Sequence, residues 1–146
     1  MAIDDFNLRI RKRVLIITDR QHELGEWISS RLGSSYAPGS YTCIGYEKDG
    51  VIKCVIAFEN YNGSSMVCHV AIDKFNIEWA MFCWNYVFNQ LKIKKLIGVV
   101  DSGNQKALKL DLHFGFVEEY VIKDAGKNGD LHILTMTKEQ CKMLNK

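Results

Sequence analysis

The sequence predicts a single α/β domain, residues 1–146, built on one mixed sheet in which most strands are antiparallel. The chain has 146 residues and 47% of them are hydrophobic, which suits one core of ordinary domain size rather than two. Apolar and polar side chains alternate with a period of two through residues 41–72, as they do in an antiparallel meander. Beyond that meander, apolar stripes with helical spacing alternate with short apolar strands. We expect helices on both faces of the sheet.

The first elements are a strand and a helix. Residues 14–17 are a short β-branched run, and Thr18 and Asp19 are residue types favoured at helix N-caps. A helix is predicted over residues 20–32, because apolar residues recur with helical spacing at Leu24, Trp27, Ile28 and Leu32. Residues 33–40 follow as a loop that contains the only proline.

The meander comprises three strands. An Asp-Gly turn joins the strands predicted at residues 41–46 and 51–58, and an Asn-Gly turn precedes the strand predicted at residues 66–72. These two-residue turns favour antiparallel neighbours.

A long helix is predicted over residues 77–91, with Asp73 or Asn76 as its cap. Both faces of this helix carry large apolar groups, including Trp79 and Phe82. A sheet covers only one side of a helix, so either the first helix or another chain must cover the other side. We favour a homo-oligomer or a protein partner bound through this helix.

The rest of the chain predicts a strand, a second amphipathic helix and two strands, at residues 94–100, 104–113, 116–123 and 131–136. A polar turn is expected at residues 124–130. Because the crossover from residues 66–72 to residues 94–100 passes through the long helix, those two strands should be parallel neighbours. We also expect them to diverge at their carboxyl ends.

Composition limits the partners and the compartment. The formal net charge is only +2, which lacks the strong positive field of a nucleic-acid binder, and the basic residues at 9–13 and 92–95 are interpreted as solvated faces. The five cysteines are odd in number and contain no Cys-x-x-Cys pair, as expected for reduced thiols in a cytoplasm. The sequence has no apolar run near the roughly 20 residues that span a bilayer and no signal-type leader. We expect a cytoplasmic protein with no membrane contact.

No spacing typical of a metal site occurs. His22, His113 and His132 are scattered, and there is no His-x-x-x-His pair or Cys/His cluster. We therefore expect no bound metal. Cys68 and Cys83 lie in apolar runs, where a thiol is more often buried and inert than nucleophilic.

The segment from Gly98 to Phe116 resembles a motif of the GNAT superfamily of acyl-CoA-dependent N-acyltransferases. Members carry an Asn after the fifth strand, an Ala three residues later, an apolar residue at six, and a Gly-Phe pair at eleven and twelve. Those positions are occupied here by Asn104, Ala107, Leu110, Gly115 and Phe116. The predicted order of strands and helices is also similar to GNAT, in which two parallel central strands part around the pantetheine arm of the carrier.

Three departures from the family pattern bear on activity. The loop at residues 73–80 lacks the glycines and the arginine with which members bind pyrophosphate, and Asp73 and Glu78 bring negative charge to it, which Lys74 offsets in part. Asp111 stands where many members have a proton-donating Tyr, and an aspartate is ionised at neutral pH unless it is buried. The helical pair that helps to build the acceptor site is reduced to one helix and a loop.

The resemblance implies several site residues. An acyltransferase must remove a proton from an ammonium group, and the candidate bases are His69 and Glu59, with Tyr120 as a further proton donor. The main chain of the strand end and the start of the second amphipathic helix would contact acetyl-CoA, used as a cosubstrate, through Val70, Ala71, Ile72, Lys74, Asn104 and Ala107. For His69 and Glu59, a hydrogen-bonded sheet histidine and a solvated strand-end acid are the structural alternatives.

Two functions stay open on this sequence. One is an N-acyltransferase, specifically an acetyltransferase, that moves an acyl group from acyl-CoA to a primary amine. The other is a catalytically inactive GNAT-fold protein used for binding or assembly, similar to the small GNAT-like proteins of tailed bacteriophages, whose compartment would be the host cytoplasm. The sequence names neither the acceptor nor the acyl group.

Overall fold

The structure is a computed structural model that describes residues 14–33 and 37–145. The basic cluster at residues 9–13 and residues 34–36 of the first loop lie outside the described residues.

A mixed sheet organises the described chain. Its strands are β1 Val14–Ile17, β2 Thr42–Lys48, β3 Val51–Glu59, β4 Ser65–Ile72, β5 Lys95–Asp101, β6 Val117–Gly126 and β7 Gly129–Met136. Its helices are α1 Gln21–Leu32, α2 Ile77–Asn85 and α3 Gln105–Phe114, and a π-helical turn, Tyr86–Gln90, follows α2. The strand order is β1-β2-β3-β4-β5-β7-β6, with β4 and β5 parallel and the pairs β1–β2, β5–β7 and β6–β7 antiparallel. The predicted mixed α/β fold class is confirmed.

Contacts divide the chain into two compact units, which we describe separately. The first unit comprises the described residues up to Ala57 together with Val70–Ala80, and the second comprises Phe58–His69 together with the described residues from Met81 onward. The assignment of the whole chain to one domain stays a prediction.

The core of the first unit forms between α1 and the strands. Leu24 and Ile28 of α1 are fully buried and pack with strand residues that include Cys43 and Val55. Burial of each such side chain contributes about 1.5–3 kcal/mol. Gly45 makes the close approach possible, because a Cβ there would overlap the side chain of Leu24.

The start of α1 differs from the prediction. Its N-cap is Arg20, without a side-chain cap, so the prediction that Thr18 or Asp19 caps the helix is wrong. Gln21 instead ties the helix start to the sheet. Its amide nitrogen donates to the carbonyls of Thr18 and Cys43, and its amide oxygen accepts from the Cys43 N–H at 2.7 Å. A long amide side chain that reaches the neighbouring strand has replaced the local cap.

The start of α2 follows one of the two predicted alternatives. The Asn76 side chain accepts a 2.9 Å hydrogen bond from the Trp79 N–H, so Asn76 is the cap. Trp79 is buried, and its indole N–H donates to the carbonyl of Ile44 at 3.0 Å. Trp79 therefore needs no second chain to cover it, because the chain's own sheet supplies the hydrogen-bond acceptor. Association through the rest of the predicted helix stays a prediction.

The long predicted helix changes type at its carboxyl end. After Asn85 the chain continues as the π-helical turn, in which the Leu91 N–H donates to the Tyr86 carbonyl at 2.9 Å. Val87 and Phe88 are buried, and Phe82 of α2 stays exposed. The apolar stripe did not reveal the π turn, because i+4 and i+5 hydrogen bonding place neighbouring apolar residues on similar faces.

The second unit ends in a hairpin that is longer than predicted. Strands β6 and β7 continue to Gly126 and from Gly129, so the polar turn expected at residues 124–130 is wrong. Asp124 adopts φ 58° within a register shift, and its N–H donates to the Asp130 carboxylate at 3.0 Å. A bulge therefore lets polar residues continue the strand pair.

A carboxylate anchors the tip of this hairpin. Asp101, at the end of β5, accepts hydrogen bonds from the Gly103 N–H at 2.7 Å and the Asn128 N–H at 2.9 Å. A Cβ at Gly126 would lie 2.6 Å from the same carboxylate. The β5–α3 connection and the hairpin tip are thus fixed to one side chain.

Candidate active site

The two central parallel strands pair only at their starts. The pairs run from Ser65–Lys95 to Val67–Ile97, which confirms the predicted parallel arrangement. Among the described residues, Cys68 and His69 of β4 have no pair in β5, whereas β5 remains paired to β7 as far as Asp101. Main-chain groups of a parallel strand that lack a neighbouring strand can bind a ligand.

One acid–base pair lies where this pairing stops. The Nε2 atom of His69 is 3.4 Å from the Oε1 atom of Glu59, and the two side chains are 23% and 29% exposed. The sequence named these residues as separate candidates, and the structure brings them together on β4 and the end of β3. The His69 Nε2 atom itself is buried, so the exposed part of the pair consists of the carboxyl group and the other ring atoms. A carboxylate beside an imidazole orients the ring.

A buried carboxyl occupies the opposite face of the same strands. Asp111 on α3 is buried, and a Cβ at Gly98 of β5 would lie 3.2 Å from its Oδ2 atom. Burial raises the pKa of Asp111 to about 7, because removal from water disfavours the charged form. A large share of the molecules therefore holds this carboxyl protonated at neutral pH, and the expectation of an ionised aspartate does not apply here.

The sequence contained a signal for this buried acid. Asp111 lies three residues after Leu108 and three before Phe114, so it belongs to the inward stripe of α3. A glycine inside a strand also indicates close approach by another group, and Gly98 provides the space for the carboxyl.

Cys68, the residue before His69 on β4, is buried. Burial, with a smaller contribution from the charge of Asp111, raises the pKa of Cys68 well above its ordinary value. All five cysteines are buried and none is in a disulfide. Cys68 and Cys83 are buried as predicted, and their low reactivity stays a prediction.

Tyr120 lies apart from the acid–base pair. It is 66% exposed on the outermost strand β6, opposite Ile133 of β7, which in turn pairs with Val99 of β5. Two strands therefore separate β6 from β4, about 14 Å at the usual spacing. Asp111 contacts the other face of the sheet, so Tyr120 and Asp111 are on opposite sides.

The predicted carrier-binding residues of the first unit lie at the end of β4 and just after it. Val70, Ala71 and Ile72 are partly buried, and Lys74 is exposed. Asp73 is held by Arg31 of α1, whose Nε and Nη2 atoms donate to the two carboxylate oxygens at 3.1 and 2.7 Å. The Arg31 guanidinium also stacks on Trp27, 3.4 Å from the ring centroid.

Arg31 changes the charge balance that the sequence indicated for this loop. Sequence reasoning counted Asp73 as an unfavourable charge, and it missed Arg31 because 42 residues separate the two partners. The bidentate ion pair neutralises the carboxylate and immobilises the start of the loop.

Asn104 and Ala107 are part of one helix cap. The Asn104 side chain accepts a 3.1 Å hydrogen bond from the Ala107 N–H at the start of α3, and Gly115 ends the helix in a left-handed conformation with φ 118°. The cap gives Asn104 a structural role. Its predicted contact with a carrier stays a prediction.

A second imidazole–carboxylate contact lies away from the parting strands. His132 of β7 contacts Glu118 of β6 through Nδ1. Both line a groove of about 270 Å³ against α3, together with Gln105, Leu108, Lys109, Leu112 and Leu134.

No group of three or more metal-ligating side chains occurs within the described ranges. No described helix is long and apolar enough to cross a membrane.

The order of the elements, the single parallel pair that parts after three residues and the helices that follow β4 and β5 define the GNAT fold. Solved structures of other proteins have a similar fold. The spermidine/spermine N-acetyltransferase SpeG from Vibrio cholerae, in mutant forms, is similar with a TM-score of 0.68 at 18% identity, over 90% of this chain and 98% of that one. A dodecameric spermidine N-acetyltransferase from the same organism is similar with a TM-score of 0.67 at 13% identity, over 88% and 95%. No family model and no curated protein matches the sequence.

Proposed function

We propose that this chain is an N-acyltransferase that moves an acyl group, in the simplest case acetyl, from acyl-CoA to a primary amine. The observation that carries the proposal is the His69–Glu59 pair, which lies where the parallel strands stop pairing. The structural neighbours are N-acetyltransferases of the same fold, which supports the general activity without naming a substrate.

The chemistry requires a base and an acid. An amine must lose a proton before it attacks the thioester carbonyl. In this proposal the His69–Glu59 pair, with Nε2 and Oε1 3.4 Å apart, accepts that proton. As the N–C bond forms and the C–S bond breaks, the departing thiolate needs a proton. Burial raises the pKa of Asp111 to about 7, so a large share of the molecules holds a protonated carboxyl at neutral pH. In this proposal Asp111 is the donor, from the opposite face of the parting strands.

The residues proposed to hold the carrier lie at the end of β4 and in the loop that follows it. The part of β4 that follows its last pair with β5 suits a thioester, but the loop after β4 contains no glycine. In that loop the Trp79 N–H at the start of α2 already donates to the Asn76 side chain. Arg31 already forms an ion pair with Asp73. Acyl-CoA would be held by Val70–Ile72 and Lys74, with fewer phosphate contacts than a glycine-rich loop provides.

Association of copies also belongs to the proposal. One neighbour is a dodecamer, and the exposed Ile77 and Phe82 of α2 leave some apolar surface for a contact. Burial of Trp79 makes that surface smaller than the sequence indicated.

A second candidate function is a GNAT-fold binding or assembly module without turnover, such as a small phage protein would provide. The Asp73–Arg31 ion pair and the capped start of α2 favour it, because both occupy groups that a phosphate would need. Titration calorimetry with acetyl-CoA separates the two functions. We expect micromolar to submillimolar binding, and absence of heat at millimolar ligand would favour the module.

Variants of the acid–base pair test the catalytic role directly. We expect Glu59→Gln to lower kcat by about 10²–10⁴-fold, measured as thiol release from acetyl-CoA with an excess of amine, while acetyl-CoA affinity stays the same. Glu26→Gln is the matched control, because Glu26 faces His22 at 3.2 Å on the exposed surface of α1. Equal activity of the two variants would contradict the assignment.

A further inference from the structure

One face of the second unit's sheet is largely apolar, and several of its side chains are exposed to solvent. Strand pairing aligns Val99, Ile133 and Tyr120 in one row and Ile97, Thr135 and Val117 in the next. Residues that are directly opposite in a sheet point to the same face. Helix α3 contacts the other face, at Gly98 and Leu134, so the rows face away from it.

The exposed area on this face is large for a single patch. Val99, Val117, Tyr120 and Ile122 are 37%, 46%, 66% and 41% exposed. For side chains of about 150–250 Å² each, these fractions amount to roughly 350 Å². Patches of about 300–600 Å² are the largest on a typical monomer and often mark a binding surface.

The acid–base pair borders the same face. Val67 of β4 pairs with Ile97, and His69 is two residues further along β4, so side-chain alternation places His69 on the face of Ile97 and Val99. Cys68, one residue away, is on the opposite face with Asp111. The row therefore begins at the His69–Glu59 pair and continues across Val99 and Ile133 to Tyr120.

Among the acidic side chains considered on this face, Glu59 is the one proposed to bind a cationic ligand. Glu119 is paired with Lys95, and backbone N–H groups of residues 103 and 128 satisfy Asp101. Glu59 faces an imidazole at 3.4 Å, so its carboxylate can bind an ammonium group. A ligand with one ammonium group and an apolar body matches this distribution of charge and apolar surface.

We propose that the acceptor is a primary amine with an apolar, preferably aromatic, body that lies along the row from Val99 to Tyr120. This inference rests on the proposed function, because it assigns the acceptor to the same acid–base pair. From His69 on β4, about 10 Å across the sheet reaches Ile133 on β7, which corresponds to an aromatic ring on a chain of about four carbons. Tyr120 is the direct partner of Ile133 on β6, so its ring lies beside that position. A polyamine of similar length would place its additional charges over Val99 and Ile133 without carboxylates to bind them.

The experiment compares three amines of defined shape. 4-Phenylbutylamine has the apolar body, spermidine has similar length with additional charges, and butylamine lacks the ring. Binding of each is measured by calorimetry on the full chain, with and without acetyl-CoA, and transfer is measured by thiol release. We expect 4-phenylbutylamine to bind at least about tenfold more tightly than the other two.

Variants locate the binding surface. Tyr120→Ser should weaken 4-phenylbutylamine binding about tenfold, whereas Tyr120→Phe should preserve it because the ring and not the hydroxyl makes the contact. Leu112→Ser is the matched control, since Leu112 is 49% exposed on α3 at the other face. These residues are exposed, so the variants leave the core intact.

The outcomes separate the inference from the proposed function. Stronger spermidine binding, or equal binding of 4-phenylbutylamine to the parent and to Tyr120→Ser, overturns the inference, and so does a failure of all three amines to bind. Binding of 4-phenylbutylamine without acetyl transfer supports the ligand class and rejects the acyltransferase. Transfer to spermidine alone supports the acyltransferase and rejects the apolar acceptor.

Discussion

Replacing Asp111 by asparagine removes a buried charge while keeping the shape of the side chain, and we expect the variant to be more stable than the parent above neutral pH. Burial raises the pKa of this carboxyl from 3.8 to about 7. The favourable contribution of the neutral carboxyl is complete below pH 3.8 and is lost as the pH rises towards 7. Above pH 7 the loss levels off.

The magnitude follows from the interval between the two pKa values. Each unit of that interval corresponds to about 1.4 kcal/mol, so the whole interval corresponds to about 4 kcal/mol. The difference in unfolding free energy between Asp111→Asn and the parent should therefore shift by about 4 kcal/mol in favour of the variant between pH 4 and pH 8. The hydrogen bonds of the amide add an offset that does not depend on pH.

The assay is urea unfolding from pH 4 to pH 8, followed by tryptophan fluorescence. Trp84 is a suitable probe because its ring contacts Phe114 of α3, with centroids 5.2 Å apart. Glu139→Gln is the control, since it removes an exposed acid. A stability difference between Asp111→Asn and the parent that does not change with pH would refute the reasoning.

Three further changes test separate contacts. Asp101→Asn should speed amide exchange at residues 126–129. The N–H groups of Asn128 and Gly103 lower the pKa of Asp101, so the parent should lose the same protection only as the pH falls below about 4; unchanged exchange in the variant would contradict this role. Trp79→Phe leaves the Ile44 carbonyl without its donor and should cost about 1–3 kcal/mol in denaturant unfolding, whereas a neutral change would mean that the hydrogen bond contributes nothing. Asn104→Ala should cost about 1 kcal/mol as a lost cap and should weaken acetyl-CoA binding more than it destabilises the fold. A loss of several kcal/mol with binding intact would make Asn104 purely structural.

The sequence predicted the features of the fold that depend on local pattern. Alternation with a period of two located the meander, and the crossover through a helix predicted the parallel β4–β5 pair, which the structure confirms. The hairpin at β6 and β7 was misread because Asp124 and its neighbours are polar turn formers, and only pairing with β7 makes them a strand. The cap of α1 was misread because its partner, Cys43, is distant in sequence.

The sequence named the two residues of the candidate pair but not the surroundings of the candidate site. His69 and Glu59 follow from residue type and position at strand ends, and their 3.4 Å separation depends on the β3–β4 pairing. The protonation of Asp111 could not be predicted, because it depends on burial and on the space that Gly98 leaves. Arg31 was missed since a bidentate ion pair between α1 and the loop after β4 has no local signature.

The π-helical turn at Tyr86–Gln90 contains one residue more than an α-helical turn would need. Its hydrogen bond from Leu91 to Tyr86 closes a loop that is one residue longer than an α-helical turn. Deletion of the exposed Asn89 would restore α-helical length and would leave the buried residues on the amino-terminal side of the turn in place. Relatives that differ here by a single-residue gap would therefore keep the same helix up to Asn85, and an alignment that ignores the gap would shift every later position by one.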